Sequence, residues 1–342
     1  YTTLFRSINA GANIANALDV LKKQTENKKL KKSLYEVHDD LQKGVSLSDS
    51  LSKHKDVFPD LLINMINTGE VSGNLDIIMN RMASHFEKEN KINNQLKSAM
   101  VYPMVLGGLS VVIVIFLLTF IMPTFTGMFT SSGVALPAPT RIIMEISQFI
   151  QTKWYILIAI IGGAIYGMKS YVKTPQGRLS IDGLKLKLPI IKDITEKAIV
   201  SRFTRTLSTV IASGVPLVQA LEVVQKVVGN KVAENALEKI KEKVVRGVSL
   251  AEALGVESIF PAMLHSMIKI GEESGSLDDI LDKTANFYDE ELETSLKKMT
   301  TMIEPLMIIV MGVIIGFIVI AMMLPILTMS QTEIGRASCR ER

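Results

Sequence analysis

The sequence predicts an all-α membrane protein of two repeated helical bundles, each followed by a transmembrane helix, with a third transmembrane helix between the repeats. Three observations support this fold. The 342 residues are 48% hydrophobic, with a mean hydropathy of +0.29, although 21% are charged. The charges are segregated, because residues 98–140 and 305–332 contain no Asp, Glu, Lys or Arg. Motifs of the first polar region recur in the second at a nearly constant spacing.

The two ends of the chain, residues 1–7 and 334–342, resemble the translation of a sequencing adapter. We therefore expect both to be foreign scars and exclude them from the fold. They contribute +1 and +2 to the formal net charge of +4, which leaves +1 for the remainder. Since the lone Cys339 also lies in a scar, the remaining protein is nearly neutral and free of cysteine.

The first polar region, residues 8–100, predicts a helical bundle. Its apolar residues recur at three- and four-residue spacing, as in Leu34, Val37 and Leu41. It holds 13 basic and 12 acidic residues. This balance argues against a nucleic-acid partner, which requires a clustered basic excess.

The motifs of this bundle recur in the second polar region, residues 169–303, which predicts a second cytoplasmic bundle of the same kind. Residues 11–18 match 214–221 and residues 43–51 match 246–254, both at an offset of 203. The repeated unit is therefore a polar bundle followed by a transmembrane helix. The matches at an offset of 202 are Phe58-Pro59 with Phe260-Pro261, residues 68–76 with 270–278, Tyr102-Pro103 with Glu304-Pro305, and Pro123 with Pro325.

The second bundle carries one element without a visible counterpart. An amphipathic segment with Phe203, Leu207 and Val210 on one face precedes the turn at Gly214. The equivalent segment of the first repeat would fall on the first scar. We therefore expect the first bundle to lack its opening helix.

Three segments are predicted to cross the membrane: residues 101–122, 149–168 and 304–327. In the middle segment Lys153 is expected to snorkel, with Trp154 as an interfacial anchor. Because both bundles share one compartment, the outer spans cross in the same direction and require this crossing between them.

The distribution of lysine and arginine orients the chain. These residues cluster just outside the spans on the side of the bundles, whereas the loop at residues 123–148 and the tail at residues 328–333 carry few or none. We therefore expect both bundles in the cytoplasm, and the loop, the tail and the C-terminus outside.

No catalytic, cofactor-binding or metal-binding site is predicted, and the chain is not expected to be an enzyme. The sequence has no Gly-Lys dipeptide and therefore no Walker A loop. No nucleophile stands beside a base. The four histidines lack metal-ligand spacing and are expected at the surface; they are His38, His54, His85 and His265.

The candidate functional residues lie in two repeated Gly-Glu-x-Ser-Gly segments. In each, we expect the glutamate at the end of a helix, followed by a glycine that turns the chain. One interpretation is a carboxylate tied to nearby backbone, and the other is a partner-docking or cation-binding corner, although no EF-hand pattern is present. The residues are Gly69, Glu70 and Gly73 in the first repeat and Gly271, Glu272 and Gly275 in the second.

A second candidate set, Tyr102-Pro103 and Glu304-Pro305, lies where the outer spans begin. An ionisable residue at a membrane boundary is a functional candidate. A glutamate at the start of a helix is equally favoured by the helix macrodipole. Both interpretations of Glu304 stay open.

The two repeats resemble the type II secretion F family, the inner-membrane platform proteins of type II secretion systems, type IV pili and competence pseudopili. The resemblance covers the chain between the scars and departs from the family in lacking the N-terminal stretch. The motifs that carry it are Gly-x-x-Leu/Ile-x-x-Ala-Leu, Lys/Arg-Gly-Val-Ser-Leu, Phe-Pro and Gly-Glu-x-Ser-Gly-x-Leu, with Tyr-Pro and Glu-Pro at the outer spans.

This resemblance implies a non-enzymatic scaffold of the bacterial inner membrane that uses no cofactor and is embedded in the lipid bilayer as a homo-oligomer. Its implied partners are a hexameric secretion or pilus ATPase, pilins or pseudopilins, and other inner-membrane assembly proteins. Coupling would run from Glu70 and Glu272 through the Tyr-Pro and Glu-Pro pairs into the outer spans.

Two other functional classes fit the sequence less well. A transporter or channel can also contain repeats and membrane glycines, but three spans without a charge at mid-membrane provide no polar path. A membrane signalling protein is the third class, and the sequence contains no kinase or receptor motif.

Overall fold

The computed structural model describes residues 14–125 and 137–340, except for the side chains of residues 190, 326 and 328–340. Within these residues the regular structure is helical and contains no strand, which confirms the all-α fold. The chain divides into two compact units. Unit 1 contains the described residues up to Leu96 together with Arg178–Leu296, and unit 2 contains Lys97–Gly177 and the residues from Lys297 onward.

Thirteen helices are described within these ranges, and a π-helical turn at Leu117–Ile121 follows the fifth. They are α1 (Ile14–Gln24), α2 (Lys28–Gln42), α3 (Leu47–Ser52), α4 (Asp60–Ser72), α5 (Leu75–Phe116), α6 (Ala138–Lys173), α7 (Pro175–Lys185), α8 (Pro189–Ala212), α9 (Leu217–Val227), α10 (Lys231–Val245), α11 (Leu250–Gly255), α12 (Ala262–Ser274) and α13 (Leu277–Arg340).

The repeat seen in the sequence is also a repeat of structure. Helices α1 to α4 contain 11, 15, 6 and 13 residues, and α9 to α12 contain the same numbers in the same order. Helix α8 is the opening helix predicted for the second bundle. The equivalent position in the first repeat lies outside the described residues, as does the first predicted scar.

Equivalent leucines fill the interior of unit 1. Leu18 and Leu34 of the first repeat are fully buried, as are their counterparts Leu221 and Leu237. All four belong to one apolar cluster that runs through both repeats. The three- and four-residue spacing of the sequence therefore corresponds to the buried faces of the helices.

The helix starts are also equivalent in the two repeats. Asn27 accepts hydrogen bonds from two backbone N–H groups in the first turn of α2, and Asn230 does the same for α10. Ser46 and Ser249 cap α3 and α11 through the N–H groups of Asp49 and Glu252, respectively. These side chains satisfy donors that have no partner within their helices.

Unit 2 contains the apolar segments. Three helical stretches are long and apolar enough to cross a membrane: Leu75–Phe125, Ala138–Lys173 and Leu277–Pro325. They include the first two spans predicted from the sequence and residues 304–325 of the third. In α5 and α13 the polar and apolar segments form one helix, which Pro103 and Pro305 do not interrupt.

The middle apolar helix is longer than predicted. Helix α6 begins at Ala138, so residues 138–148 are helical although we expected them in the loop at residues 123–148. Thr140 and Ser147 donate hydrogen bonds to the backbone oxygens of Ala321 and Leu118, and these contacts hold the start of α6 against the neighbouring helices. Lys153 interrupts the helical backbone with φ −126° and ψ 26°.

The C-terminal helix is longer as well. Helix α13 continues through residues 328–333, the predicted tail, and through the first residues of the second predicted scar, up to Arg340. No proline follows Pro325 to stop it.

Candidate functional site

The two candidate glutamates bind the start of a short helix that lies upstream in the same repeat. Glu70, near the end of α4, accepts hydrogen bonds from the backbone N–H groups of Leu47 at 2.6 Å and Ser48 at 3.2 Å. The hydroxyl of Ser48 donates to the same carboxylate. Both N–H groups belong to the first turn of α3.

The second repeat forms the same contact. Glu272, near the end of α12, accepts from the backbone N–H groups of Leu250 at 2.7 Å and Ala251 at 3.0 Å. These residues begin α11. The Lys/Arg-Gly-Val-Ser-Leu motif and the Gly-Glu-x-Ser-Gly motif, which are separate in the sequence, thus form one structural corner in each repeat.

Each short helix obtains a complete N-terminal cap from this arrangement. The serine at the N-cap accepts a hydrogen bond from the backbone N–H of the third helical residue. The glutamate accepts hydrogen bonds from the N–H groups of the first two. A carboxylate is suited to this place because the N-terminus of a helix carries a partial positive charge. A six-residue helix has little stability of its own. The glutamate therefore fixes α3 on the end of α4, and α11 on the end of α12.

The glycines of the corners are required by backbone geometry. A Cβ atom on Gly69 would lie 3.0 Å from the Cα of Leu75, and one on Gly271 would lie 3.1 Å from the Cα of Leu277. Gly73 and Gly275 end α4 and α12 in the left-handed conformation, with φ of 71° and 69°. These four residues let α4 and α12 turn tightly into α5 and α13, respectively.

The corners therefore fit the interpretation in which the carboxylate is tied to backbone. Among the residues that the structure describes, no group of three or more His, Cys, Asp or Glu side chains is placed to hold a metal ion. The donors around Glu70 and Glu272 are N–H and O–H groups, which a cation would not replace without uncapping α3 or α11.

The surfaces beside the two corners differ in character. At the second corner a depression is lined by charged and polar side chains, among them Glu252, His265, Lys269 and Glu273. The equivalents of the last three in the first repeat are Ile63, Asn67 and Val71. The repeats thus share the corner and differ in what they present around it.

The residues at the outer spans and the corner residues belong to different units. Tyr102 and Glu304 are exposed on α5 and α13 in unit 2, whereas the six corner residues belong to unit 1. Pro103 and Pro305 lie inside these helices.

An ionic contact that the sequence did not predict attaches α8 to α13. Arg205 in α8 is buried, and its guanidinium donates to Asp289 at 2.5 Å and to Asn286 at 3.1 Å. Asp282 lies 3.4 Å from the same group. The sequence does contain one signal of this contact. An arginine stands between Phe203 and Leu207, which are both buried.

Polar contacts also join the long helices of the two repeats within unit 1. Lys88 of α5 donates to Asn286 of α13 at 3.0 Å, and Gln95 donates to Glu293 at 2.9 Å. Both pairs are separated by 198 residues, so the two helices run parallel here. Sequence alone does not give this register, because it differs from that of the repeat.

The expectation that the histidines lie at the surface is wrong for His38 and His85, which are both buried. His85 lies on the same face of α5 as Met82, which the core of the bundle covers. Burial lowers the pKa of His85 to about 4, and the charge of Arg205 acts in the same direction. Neither ring nitrogen of His85 has a hydrogen-bond partner among the described residues.

Comparison with known proteins agrees with this repeated architecture. The family model for type II secretion system (T2SS), protein F, matches residues 1–123 and again residues 203–325, one match for each repeat. The chain is 40% identical to the type IV pilus assembly protein PilC of Thermus thermophilus, over 93% of this chain and 79% of the relative.

Two further relatives represent both kinds of machine. The type IV pilus assembly protein PilC of Pseudomonas aeruginosa is 36% identical, over 93% of this chain and 85% of the relative. The type II secretion system protein F of Aeromonas hydrophila is 33% identical, over 94% of this chain and 83% of the relative. With two family matches and these identities, the chain belongs to the type II secretion system protein F family.

Proposed function

We propose that this chain is the inner-membrane platform of a type IV pilus or type II secretion machine. In this role it couples a cytoplasmic hexameric ATPase to the assembly of pilins or pseudopilins. The names of its relatives, which refer to pilus assembly and to type II secretion, support this function. They give no support to a transporter or channel.

One structural observation carries the proposal. In each repeat the helix that follows the corner is the helix that enters the membrane: α5 and α13 each begin in unit 1 and continue without interruption through an apolar segment. A force applied to the corner is therefore transmitted along a continuous hydrogen-bonded rod. This is the mechanical link that a platform between an ATPase and membrane-embedded subunits requires.

The proposed orientation places both bundles in the cytoplasm, where the ATPase is available. The basic residues that flank the spans on the side of the bundles support it. In this orientation the segment between α5 and α6, and the C-terminus, lie outside. The platform would act as a homo-oligomer together with other inner-membrane assembly proteins.

The corners are the proposed coupling points. Glu70 and Glu272 hold the short helices α3 and α11 on the ends of α4 and α12, just before α5 and α13 begin. The charged surface beside the second corner is the proposed docking site for the ATPase. Glu304 and Tyr102 are the proposed points at which the movement enters the spans.

The test is charge-neutral substitution in the full chain, expressed in cells in place of the wild-type protein. Glu272→Gln and Glu304→Gln are compared with Glu290→Gln, which changes an exposed glutamate of α13 outside the proposed docking surface by the same chemistry. We expect pilus assembly or secretion to fall several-fold for the first two variants, with the loss of ATPase co-purification confined to Glu272→Gln. Normal assembly and normal ATPase co-purification in both variants would show that these sites are wrong.

A further inference from the structure

Helix α7 and the residues after it carry a local excess of positive charge. Residues 175–192 contain four basic residues and one acidic residue, whereas residues 193–301 contain 13 basic and 17 acidic residues. Residues 169–301 as a whole are nearly balanced, with 19 basic and 18 acidic residues, but a basic segment lies near their start. The segment follows a membrane helix directly, because Thr174 alone separates α6 from α7.

The single acidic residue of this segment does not reach its surface. Asp182 is buried, and its carboxylate accepts hydrogen bonds from the backbone N–H of Lys231, at the start of α10, and from the Nζ of Lys185. Both distances are 2.9 Å. Asp182 therefore holds one face of α7 on unit 1, while Arg178 and Lys187 remain exposed.

The exposed part of the segment is also apolar. Four large aliphatic side chains between residues 179 and 191 are each at least 41% exposed, although the neighbouring Leu186 packs against the core of unit 1. Aliphatic side chains alternating with lysine and arginine are typical of segments that lie in the interface of a bilayer. The four are Leu179, Leu184, Leu188 and Ile191.

We propose that α7 and the residues up to Ile191 form a binding surface for anionic phospholipid headgroups. The aliphatic side chains would enter the interfacial layer while the arginine and lysines contact the phosphates. A bilayer is favoured over a protein partner because only Thr174 separates α7 from the membrane helix α6 along the chain. The proposal is independent of the machine in which the chain acts.

The experiment places a fluorescent probe on this surface in the full chain. In a Cys339→Ser background, Leu184→Cys is labelled with an environment-sensitive fluorophore, and the protein is reconstituted into nanodiscs of phosphatidylcholine with or without phosphatidylglycerol. In the anionic discs we expect the fluorescence of the probe to shift to the blue. We also expect quenching by aqueous iodide to fall to about one fifth or less of its value in the neutral discs, and salt to reduce both effects. A probe at Val245→Cys, which is exposed on α10, should respond equally in both discs.

A charge variant tests the basic residues. Each Lys or Arg at an anionic surface strengthens the attraction about fivefold, so Arg178→Gln with Lys187→Gln should weaken it about 25-fold and restore quenching of the Leu184→Cys probe. The matched control, Lys28→Gln with Lys55→Gln, removes two exposed lysines of the first bundle and should change nothing.

The proposal fails under either of two results. One is strong iodide quenching at Leu184→Cys that is the same in both kinds of disc, which would assign the surface to a protein partner or to a second copy of the chain. The other is that Arg178→Gln with Lys187→Gln and the control Lys28→Gln with Lys55→Gln change the iodide quenching of the probe equally. Neither result depends on pilus assembly or secretion, so it would leave the proposed platform function standing.

Discussion

Individual side chains in this protein matter mostly through the backbone groups that they satisfy. Glu70 and Glu272 are acidic residues in a predicted functional motif, yet their carboxylates are occupied by N–H groups at the start of α3 and α11. A role in coupling therefore has to act through the position of these helices. It does not require a free carboxylate on the surface.

His85 allows a test at the level of a single residue. Its pKa is lowered from 6.5 to about 4, so the folded protein binds the proton less readily than the unfolded chain. Stability is then highest above pH 6.5 and falls as the pH drops from 6.5 towards 4, by about 3 kcal/mol in all. His85→Phe, which places the residue of the equivalent position 287 there, should remove this dependence.

The measurement is denaturant unfolding of the full chain in detergent at several pH values between 4 and 7. Phe86→Leu is the control: it alters the neighbouring side chain without changing a titratable group, so it should lower stability by a similar amount at every pH. A wild-type pH dependence that persists in His85→Phe would assign the effect to other groups.

At the scale of elements, the sequence predicted most of the architecture because its signals are local. Apolar spacing predicted helical bundles in both polar regions, and the recurring motifs predicted that the two bundles are equivalent. The turns at Gly73 and Gly275 were also predicted from the motif, because a left-handed residue after a helix favours glycine.

The contacts between elements were not predictable in the same way. Which N–H groups Glu70 would bind depends on a residue 23 positions upstream. His85 lines a cavity together with residues of α8, which belongs to the other repeat. The early start of α6 depends on hydrogen bonds to α13 and to the π-helical turn. None of these has a signature in local periodicity.

The corner between α12 and α13 gives a prediction at this scale. Gly275 has a φ of 69°, and no atom lies within 4 Å of the place a Cβ would occupy, so Gly275→Ala introduces backbone strain without a clash. We expect a loss of about 1 kcal/mol in the free energy of unfolding, because an L-residue in the left-handed region costs about 1–2 kcal/mol. Gly73→Ala should cost the same, since the first corner has the same geometry.

Thermal unfolding of the full chain in detergent measures this effect. Gly183→Ala is the matched control, because Gly183 lies inside α7, has no positive φ and also has open space at its Cβ position. That substitution should be neutral or raise stability by about 0.5–1 kcal/mol. Equal effects of the two substitutions would show that the corner is not strained.

At the scale of the whole molecule, the repeat produces two parallel long helices with different surroundings. Within unit 1, α5 and α13 contact each other through Lys88, Gln95 and their partners, and α13 is additionally bound to α8 through Arg205. The two helices that enter the membrane are thus connected in the bundles. A movement imposed on one repeat is expected to involve the other.

The continuity of α13 between corner and membrane is the property that the proposed coupling needs most. Lys298 and Thr301 are exposed positions on this helix, just before the apolar segment. Replacing both by glycine favours local unwinding by about 1 kcal/mol per residue relative to alanine, without removing a buried contact.

We expect Lys298→Gly with Thr301→Gly to reduce pilus assembly or secretion several-fold, and Lys298→Ala with Thr301→Ala to leave it intact. Co-purification of the ATPase should persist in both variants, because the proposed docking surface lies at the corner. Undiminished assembly with the glycine pair would mean that movement reaches the membrane by a route other than a continuous α13.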